Sequence, residues 1–160
     1  MKPLTKSKAR VKSLGEVFTP PALVNEMLDK LPTELFTASA KTFIDPACGD
    51  GNFLVEVLQR KIDGGSSPSQ ALSTTYGIDI MMDNVVDCRK RLLEIALKNS
   101  EGKIEKAWTT ILKKNIAVGD ALKFDTDDIF SDTPSEGLQQ LRTEKLEEFK
   151  QKNSNIDPMV

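Results

Sequence analysis

Three short β-prone runs alternate with longer amphipathic patterns, and each carries an aspartate at or just past its carboxyl end. The runs are Lys41–Asp45, Thr74–Ile80 and Asn115–Gly119, with Asp45, Asp79 and Asp120 as the acids. Helical spacing fills the gaps. Phe53, Leu54, Val57, Leu58 and Ile62 line one face over 51–62, and Val85, Cys88, Leu92 and Ala96 line one over 82–98, broadened by Val86, Leu93 and Leu97. Strands alternating with helices predict a parallel sheet with right-handed crossovers. The expected fold is α/β and Rossmann-like, a partial parallel sheet of about three strands flanked by helices. Ligands in such sheets bind off the carboxyl ends of the strands. Asp45, Asp79 and Asp120 are therefore expected around one crevice.

The flanking segments follow from local signals. Thr19-Pro20-Pro21 predicts a helix start with Thr19 as N-cap, and Leu23, Val24, Met27, Leu28 and Leu31 form its apolar face before Pro32 stops it. Residues 104–113 around Trp108 read as helical. Thr133-Pro134-Ser135-Glu136 reads as a capping box opening a helix to about Lys152, with a thinner stripe of Leu138, Leu141, Leu146 and Phe149. Asp63–Ser69 and the acidic Asp125–Ser135 read as loops. The organisation expected is a basic arm over 1–14, a ligand-binding domain over 15–125, and an acidic loop with a C-terminal helix over 126–160.

Composition excludes several chemistries. The 160 residues contain no histidine, which removes an imidazole base, a Ser-His-Asp triad and a His-ligated metal. Cys48 and Cys88 are too far apart for a CxxC pair, no metal site is expected, and the cysteine usage suits a reducing cytoplasm. No apolar run is long enough to span a membrane. The net charge of −2 hides an asymmetry: Lys2, Lys6, Lys8, Arg10 and Lys12 precede any acid, whereas residues 120–160 are acidic. The basic arm suits either nucleic-acid phosphates or a solvated terminus.

The first β-run leads into Asp45-Pro46-Ala47-Cys48-Gly49-Asp50-Gly51-Asn52-Phe53-Leu54. Gly49 and Gly51 allow a tight turn and close backbone approach to a ligand, and the following helix directs free N–H groups at it. Asp79 is placed to accept both hydroxyls of a ribose, Asp120 to accept from an exocyclic amine, and Ile80, Leu122 and Phe124 to sandwich a flat ring. The arrangement reads as an adenosine site. Leu54 stands where a dinucleotide loop has its third glycine, and carboxylates at 45 and 50 would repel a pyrophosphate. S-adenosylmethionine carries a sulfonium and an ammonium instead of phosphate, and suits those carboxylates. Each residue also has a plainer use: Asp45 as a turn cap, Asp120 as a turn residue, Phe18 as core. Cys48 reads as a small buried filler, and Trp108 and Tyr76 as core rather than stacking platforms.

Four segments together resemble the N6-adenine DNA methyltransferases, a branch of the class I S-adenosylmethionine-dependent methyltransferases. They are Gly15-Glu-Val-Phe-Thr-Pro-Pro21, Asp45 to Leu54, Tyr76-Gly-Ile-Asp-Ile80 and Asn115-Ile-Ala-Val-Gly-Asp-Ala-Leu122. The resemblance covers about 15–125. It implies that Phe18, Thr19 and Pro20 close over the methionine end of the cofactor, which Asp45, Ala47, Gly49, Asp50 and Gly51 also hold. It implies Asp79 and Ile80 at the ribose and ring, and Asp120 and Ala121 at the adenine. DNA is the implied substrate, in methylation of the restriction-modification kind.

The family's (Asn/Asp)-Pro-Pro-(Tyr/Phe) loop, which binds the flipped adenine, has no counterpart here. Pro20-Pro21 belongs to the N-terminal motif, and Asn155-Ile-Asp-Pro-Met159 lacks the first proline and the aromatic. No catalytic residue is assigned. The resemblance implies a fourth strand beside the first, without which 41–45 is an apolar edge that a C-terminal helix, a second chain or a second copy could cover. The chain reads as the cofactor-binding half of a methyltransferase that needs another chain for catalysis. The alternative is a non-catalytic module that binds the cofactor or modulates an intact methyltransferase.

Overall fold

Alternating apolar runs and helical stripes build a three-stranded parallel sheet in a computed structural model of the chain, which describes residues 3–157. The strands are β1 (Phe43–Asp45), β2 (Thr75–Asp79) and β3 (Ile116–Val118), in the order β1-β2-β3. Ile44 pairs with Tyr76, Asp45 with Gly77, and Asp79 with Val118. The fold expected from the sequence is the fold observed.

Helices cover both faces because β2 alternates. Gly77 faces α4 (Asn52–Asp63), where a Cβ would lie 2.6 Å from Leu54 Cδ1. That is the side of the larger core, in which Leu54 and Leu58 meet Val85, Cys88 and Leu92 of α6 (Met82–Lys98) and Trp108 of α7 (Ala107–Asn115). Ile78 points the other way, onto Ile129 of α8 (Thr126–Ile129) and Leu138 of α9 (Glu136–Lys152). Trp108 is fully buried, and its Nε1 donates to Ser69 Oγ at 2.6 Å. The Lys61 amine is also fully buried. It donates to Lys41 O and Thr74 Oγ1, tying the starts of β1 and β2, and burial lowers its pKa.

Several local expectations change. The helix after the Pro-Pro pair, α2, runs Pro21–Leu28 with Pro20 rather than Thr19 as N-cap. Of its expected apolar face only Val24 and Leu28 are buried, while Leu23, Met27 and Leu31 are exposed. The reason is β1, an edge strand that leaves that side of α2 uncovered. The capping box at 133–136 does not form. Ser135 Oγ donates instead to Asp128 Oδ2 at 2.6 Å. A capping box forms at Ser67 and Gln70, opening α5 (Pro68–Ser73) inside the segment read as a loop. Residues 34–37 form a further short helix, α3 (Glu34–Thr37). The basic arm folds as α1 (Lys8–Leu14), capped by Ser7 and closed by Gly15 at φ +66.

The sheet's two edges differ. Arg89 donates through Nε and Nη2 to Ile116 O, and Arg142 Nε donates to Val118 O at 2.9 Å, so guanidinium groups cap the carbonyls of β3's outer edge. β1 has no such cover. Ile44, at its centre, is 49% exposed beside a cavity of about 330 Å³ lined by Met27, Leu31 and Phe53.

The turn after β1 depends on glycine. Gly51 has φ +90, and a Cβ there would lie 2.6 Å from Cys88 Sγ; Gly102 has φ +75 with open space. Gly51→Ala is expected to cost roughly 2–5 kcal/mol from backbone strain plus overpacking, and Gly102→Ala about 1–2 kcal/mol from strain alone. Equal losses in urea unfolding would refute the steric part.

Candidate functional site

The site begins at the carboxyl ends of the three strands. Asp45 lies opposite Gly77, two residues short of Asp79, and Asp120 lies two residues past Val118, the β3 partner of Asp79, so the three acids stand staggered at the carboxyl ends of neighbouring strands. Asp79 is the most connected of the three. Its Oδ2 accepts from Gly49 N at 3.0 Å, and its Oδ1 from Met81 N at 2.8 Å and Asn84 Nδ2 at 3.1 Å. One carboxylate thus joins the glycine loop, the end of β2 and the first turn of α6. Asp45 Oδ1 accepts from Ala47 N at 3.1 Å, and Asp120 Oδ1 from Leu122 N at 3.0 Å, each capping its own turn. Asp120 Oδ2 lies 3.8 Å from Lys123 Nζ. Burial raises the pKa of both Asp45 and Asp79.

The loop from 45 to 51 is held from several sides. Cys48 N donates to Ile78 O at 2.8 Å, seating the loop on β2. Gly49 has φ +54 under the Phe18 ring, where a Cβ would come within 3.0 Å of Cε1. Asn52 Nδ2 donates to Thr19 O at 2.8 Å, so the segment 18–20 lies against the loop as one body. Phe18 is buried and anchors this segment, while Thr19 and Pro20 remain half-buried. The neighbouring Cys88 thiol, burial and the Asp79 and Asp45 charges push the Cys48 thiol well up. It stays protonated and fills space.

Some expected site residues are used otherwise. Asp50 is 1% exposed, and its carboxylate meets Arg91 Nη1 at 3.0 Å inside the protein. The same Arg91 Nη1 binds Asp50 O and Asn52 Oδ1, so Asp50 braces the loop from within. Ile80 and Ala121 are half-buried at the rim. The expected ring sandwich is not assembled: Leu122 is 98% exposed, and Phe124 packs against the Ile78–Ile129 cluster. Lys6 and Arg10 of the basic arm are paired with Asp83, Asp87 and Glu16. Lys8 and Lys12 are exposed, and Lys2 lies outside the described residues. Among the described residues no group of three or more His, Cys, Asp or Glu side chains could hold a metal ion, and no helix is long and apolar enough to cross a membrane.

Sequence reasoning passed over Glu16, Asn84, Asn52 and Arg91. Glu16 lay inside the quoted N-terminal segment, and Asn84 follows Asp79 by five residues. Glu16 Oε2 accepts from Asn84 Nδ2 at 2.9 Å, which places it one residue removed from Asp79. Among the described residues, Glu16 Oε1 and Asn84 Oδ1 are buried acceptors with no donor.

Over 92 residues the chain is 36% identical to a protein from Vibrio sp. (strain 343) described as Type II methyltransferase M.VspI. The match takes in 58% of this chain and 20% of that relative, so the chain spans about a fifth of the relative's length. No solved structure matches. The family model described as N-6 DNA Methylase matches residues 4–153, nearly the whole chain and every segment that forms the rim. The chain belongs to the N-6 DNA methylase family.

Proposed function

We propose that this chain binds S-adenosylmethionine and contributes the cofactor half of a DNA adenine N6-methyltransferase, with a second chain completing catalysis. Members of this family generally use that cofactor. The observation that carries the reading is the Asp79 carboxylate, half-buried at the end of the central strand and bonded to the glycine loop. The residues fit the group. Asp45 offers a carboxylate to the sulfonium and ammonium cations, and Gly49 leaves the loop free of a Cβ beneath Phe18. The donor-poor acceptors around Asp79 suit a ribose diol. When bound, the cofactor supplies an electrophilic methyl group.

The chain's own residues then have distinct tasks. Asp79 accepts the diol hydroxyls, and Ile80 meets the ring edge. Asp120 and Ala121 receive the adenine amine and its edge. Phe18, Thr19 and Pro20, tethered through Asn52, exclude water from the methionine end. Leu122, exposed on the rim, would be the apolar side chain open to the ring. Asp50 acts indirectly by holding the loop on Arg91.

Methyl transfer to adenine requires acceptors for the amine hydrogens and an aromatic to hold the flipped base. No segment of these 160 residues matches such a loop. The open β1 edge, with Ile44, Met27 and Leu31 around it, supports pairing with a strand from the second chain that carries it. Of the described bases of the arm, Lys8 and Lys12 are the ones left for DNA contact, since Lys6 and Arg10 are ion-paired within the chain.

Calorimetric titration tests the reading. The wild-type chain is expected to bind S-adenosylmethionine. Asp79→Ala is expected to weaken binding by about 100-fold or more, and Asp120→Ala by about 10-fold, from lost charge-assisted hydrogen bonds. No binding by the wild type would refute the proposal. Labelled methyl transfer to DNA is expected to be absent with this chain alone, and transfer by it alone would remove the need for a second chain.

Asp45 gives a pH signature. Its raised pKa means that the folded state holds the proton more tightly than the unfolded state. The ionised carboxylate therefore costs stability above its folded value, and the cost vanishes below the unfolded value of about 3.9. Asp45→Asn keeps the acceptor for Ala47 N–H. It is expected to raise Tm at neutral pH, to lose that advantage below about pH 4, and to weaken cofactor binding. A melting temperature equal to the wild type at neutral pH would contradict the burial cost.

A further inference from the structure

The N-terminal helix α1 buries no residue, yet it is docked. Lys6 Nζ donates to Asp83 Oδ2 at 2.9 Å and Asp87 Oδ2 at 2.7 Å, and Arg10 Nη1 donates to Asp83 Oδ2 at 2.6 Å. Arg10 Nη2 donates to Glu16 Oε2, the oxygen that also accepts from Asn84 Nδ2 at 2.9 Å. That Asn84 nitrogen reaches Asp79 Oδ1 at 3.1 Å. A continuous line of polar contacts thus runs Arg10–Glu16–Asn84–Asp79, from the arm to the carboxylate at the centre of the rim.

The line is also incomplete. Five buried side-chain polar atoms among the described residues have no hydrogen-bond partner: Arg10 Nε, Glu16 Oε1 and Asn84 Oδ1 lie in the line, and a fourth, Asp83 Oδ1, is on Arg10's other partner. Three of the four are acceptors, so the network lacks donors. Leaving such atoms buried and unmet is costly. A diol seated on Asp79 brings O–H donors to the carboxylate that shares the Asn84 NH2 with Glu16.

We infer that Glu16 and Asn84 are positioning residues for Asp79, and that through them the docking of α1 and the binding of a nucleoside diol are coupled. This rests on the reading that Asp79 receives the cofactor ribose. The physical steps are short. Two carboxylates, Glu16 and Asp79, both ask for the Asn84 NH2, which fixes the amide with its donor side toward Asp79. Arg10 fixes Glu16, so the arm sets how Asp79 is presented. Coupling of this kind is reciprocal: what tightens the ligand tightens the arm. Asp79 is faced by Glu16 from the N-terminal segment, with Arg10 behind it, and by Cys48 from the loop; Asp83, at the start of α6, is paired with Lys6 and Arg10 of the arm. Burial and the Glu16 charge both raise its pKa.

The test uses the full chain, with S-adenosylmethionine as probe in calorimetry and in hydrogen exchange of residues 8–14. In the wild type the ligand is expected to slow exchange in α1. Arg10→Ala, Glu16→Ala and Asn84→Ala are expected to weaken binding by about 5- to 50-fold, and Lys6→Ala, an exposed change that spares the line itself, by less. Glu16→Gln keeps an acceptor for Asn84 and removes the charge. It is expected to recover much of the affinity lost in Glu16→Ala and to shift the acid loss of binding to lower pH, because Asp79 then ionises more easily. A purely structural role would not move that pH profile. Wild-type binding with unchanged affinities in the variants and no ligand effect on α1 would overturn the coupling alone. Absence of wild-type binding would overturn the cofactor reading and this inference with it.

Discussion

The Asp79 carboxylate is where strand, loop and helix meet. It sits at the end of the central strand and accepts from Gly49 in the loop after β1, from Met81 just beyond its own strand, and from Asn84 in α6. Burying an anion there is unfavourable by itself, which is why its pKa rises; three donors offset the cost. With the Cys48–Ile78 and Asp50–Arg91 bonds, the carboxylate holds the loop whose left-handed glycines pass Cys88 and Phe18, and the N-terminal segment is tethered to that loop in turn. Concentrating hydrogen-bond acceptors at one rim costs stability there, and the proposed cofactor, with its cations and hydroxyls, would offset that cost.

The sheet is asymmetric in a way that bears on how the protein works. At the β3 edge, Arg89 and Arg142 reach over from α6 and α9 to occupy strand carbonyls, and α8 and α9 cover the adjoining face. The β1 edge is short, carries an exposed isoleucine, and adjoins an uncovered apolar strip of α2. Natural proteins seldom leave such an edge bare. The proposed second chain, carrying the base-binding loop that these residues lack, gives that edge a purpose.

Much of this was legible in the sequence, for local reasons. Strand and helix periods differ, so the apolar pattern revealed the α/β alternation, and parallel topology then put Asp45, Asp79 and Asp120 on one rim. The Gly49–Gly51 turn was legible because positive φ favours glycine. The misreadings share a different cause. Thr133–Glu136 has the pattern of a capping box, but Ser135 found Asp128 closer to hand. Leu23, Met27 and Leu31 have core spacing, but nothing in the described residues covers them. Asp50 looked like a loop anion open to ligand until Arg91, 41 positions on, claimed it.

The basic arm shows the division most clearly. Its charges were plain from composition, and they suited nucleic acid or solvent equally well. Their partners are Asp83 and Asp87, more than 70 positions away in the chain, and Glu16. The sequence by itself determined the alternation of elements, the glycine turn and the three acids, because each depends on neighbours within a few residues. Only the tertiary structure decided which charges are spent inside the molecule and which face the rim, because Coulomb attraction and burial act between groups that the chain brings together only after it has folded.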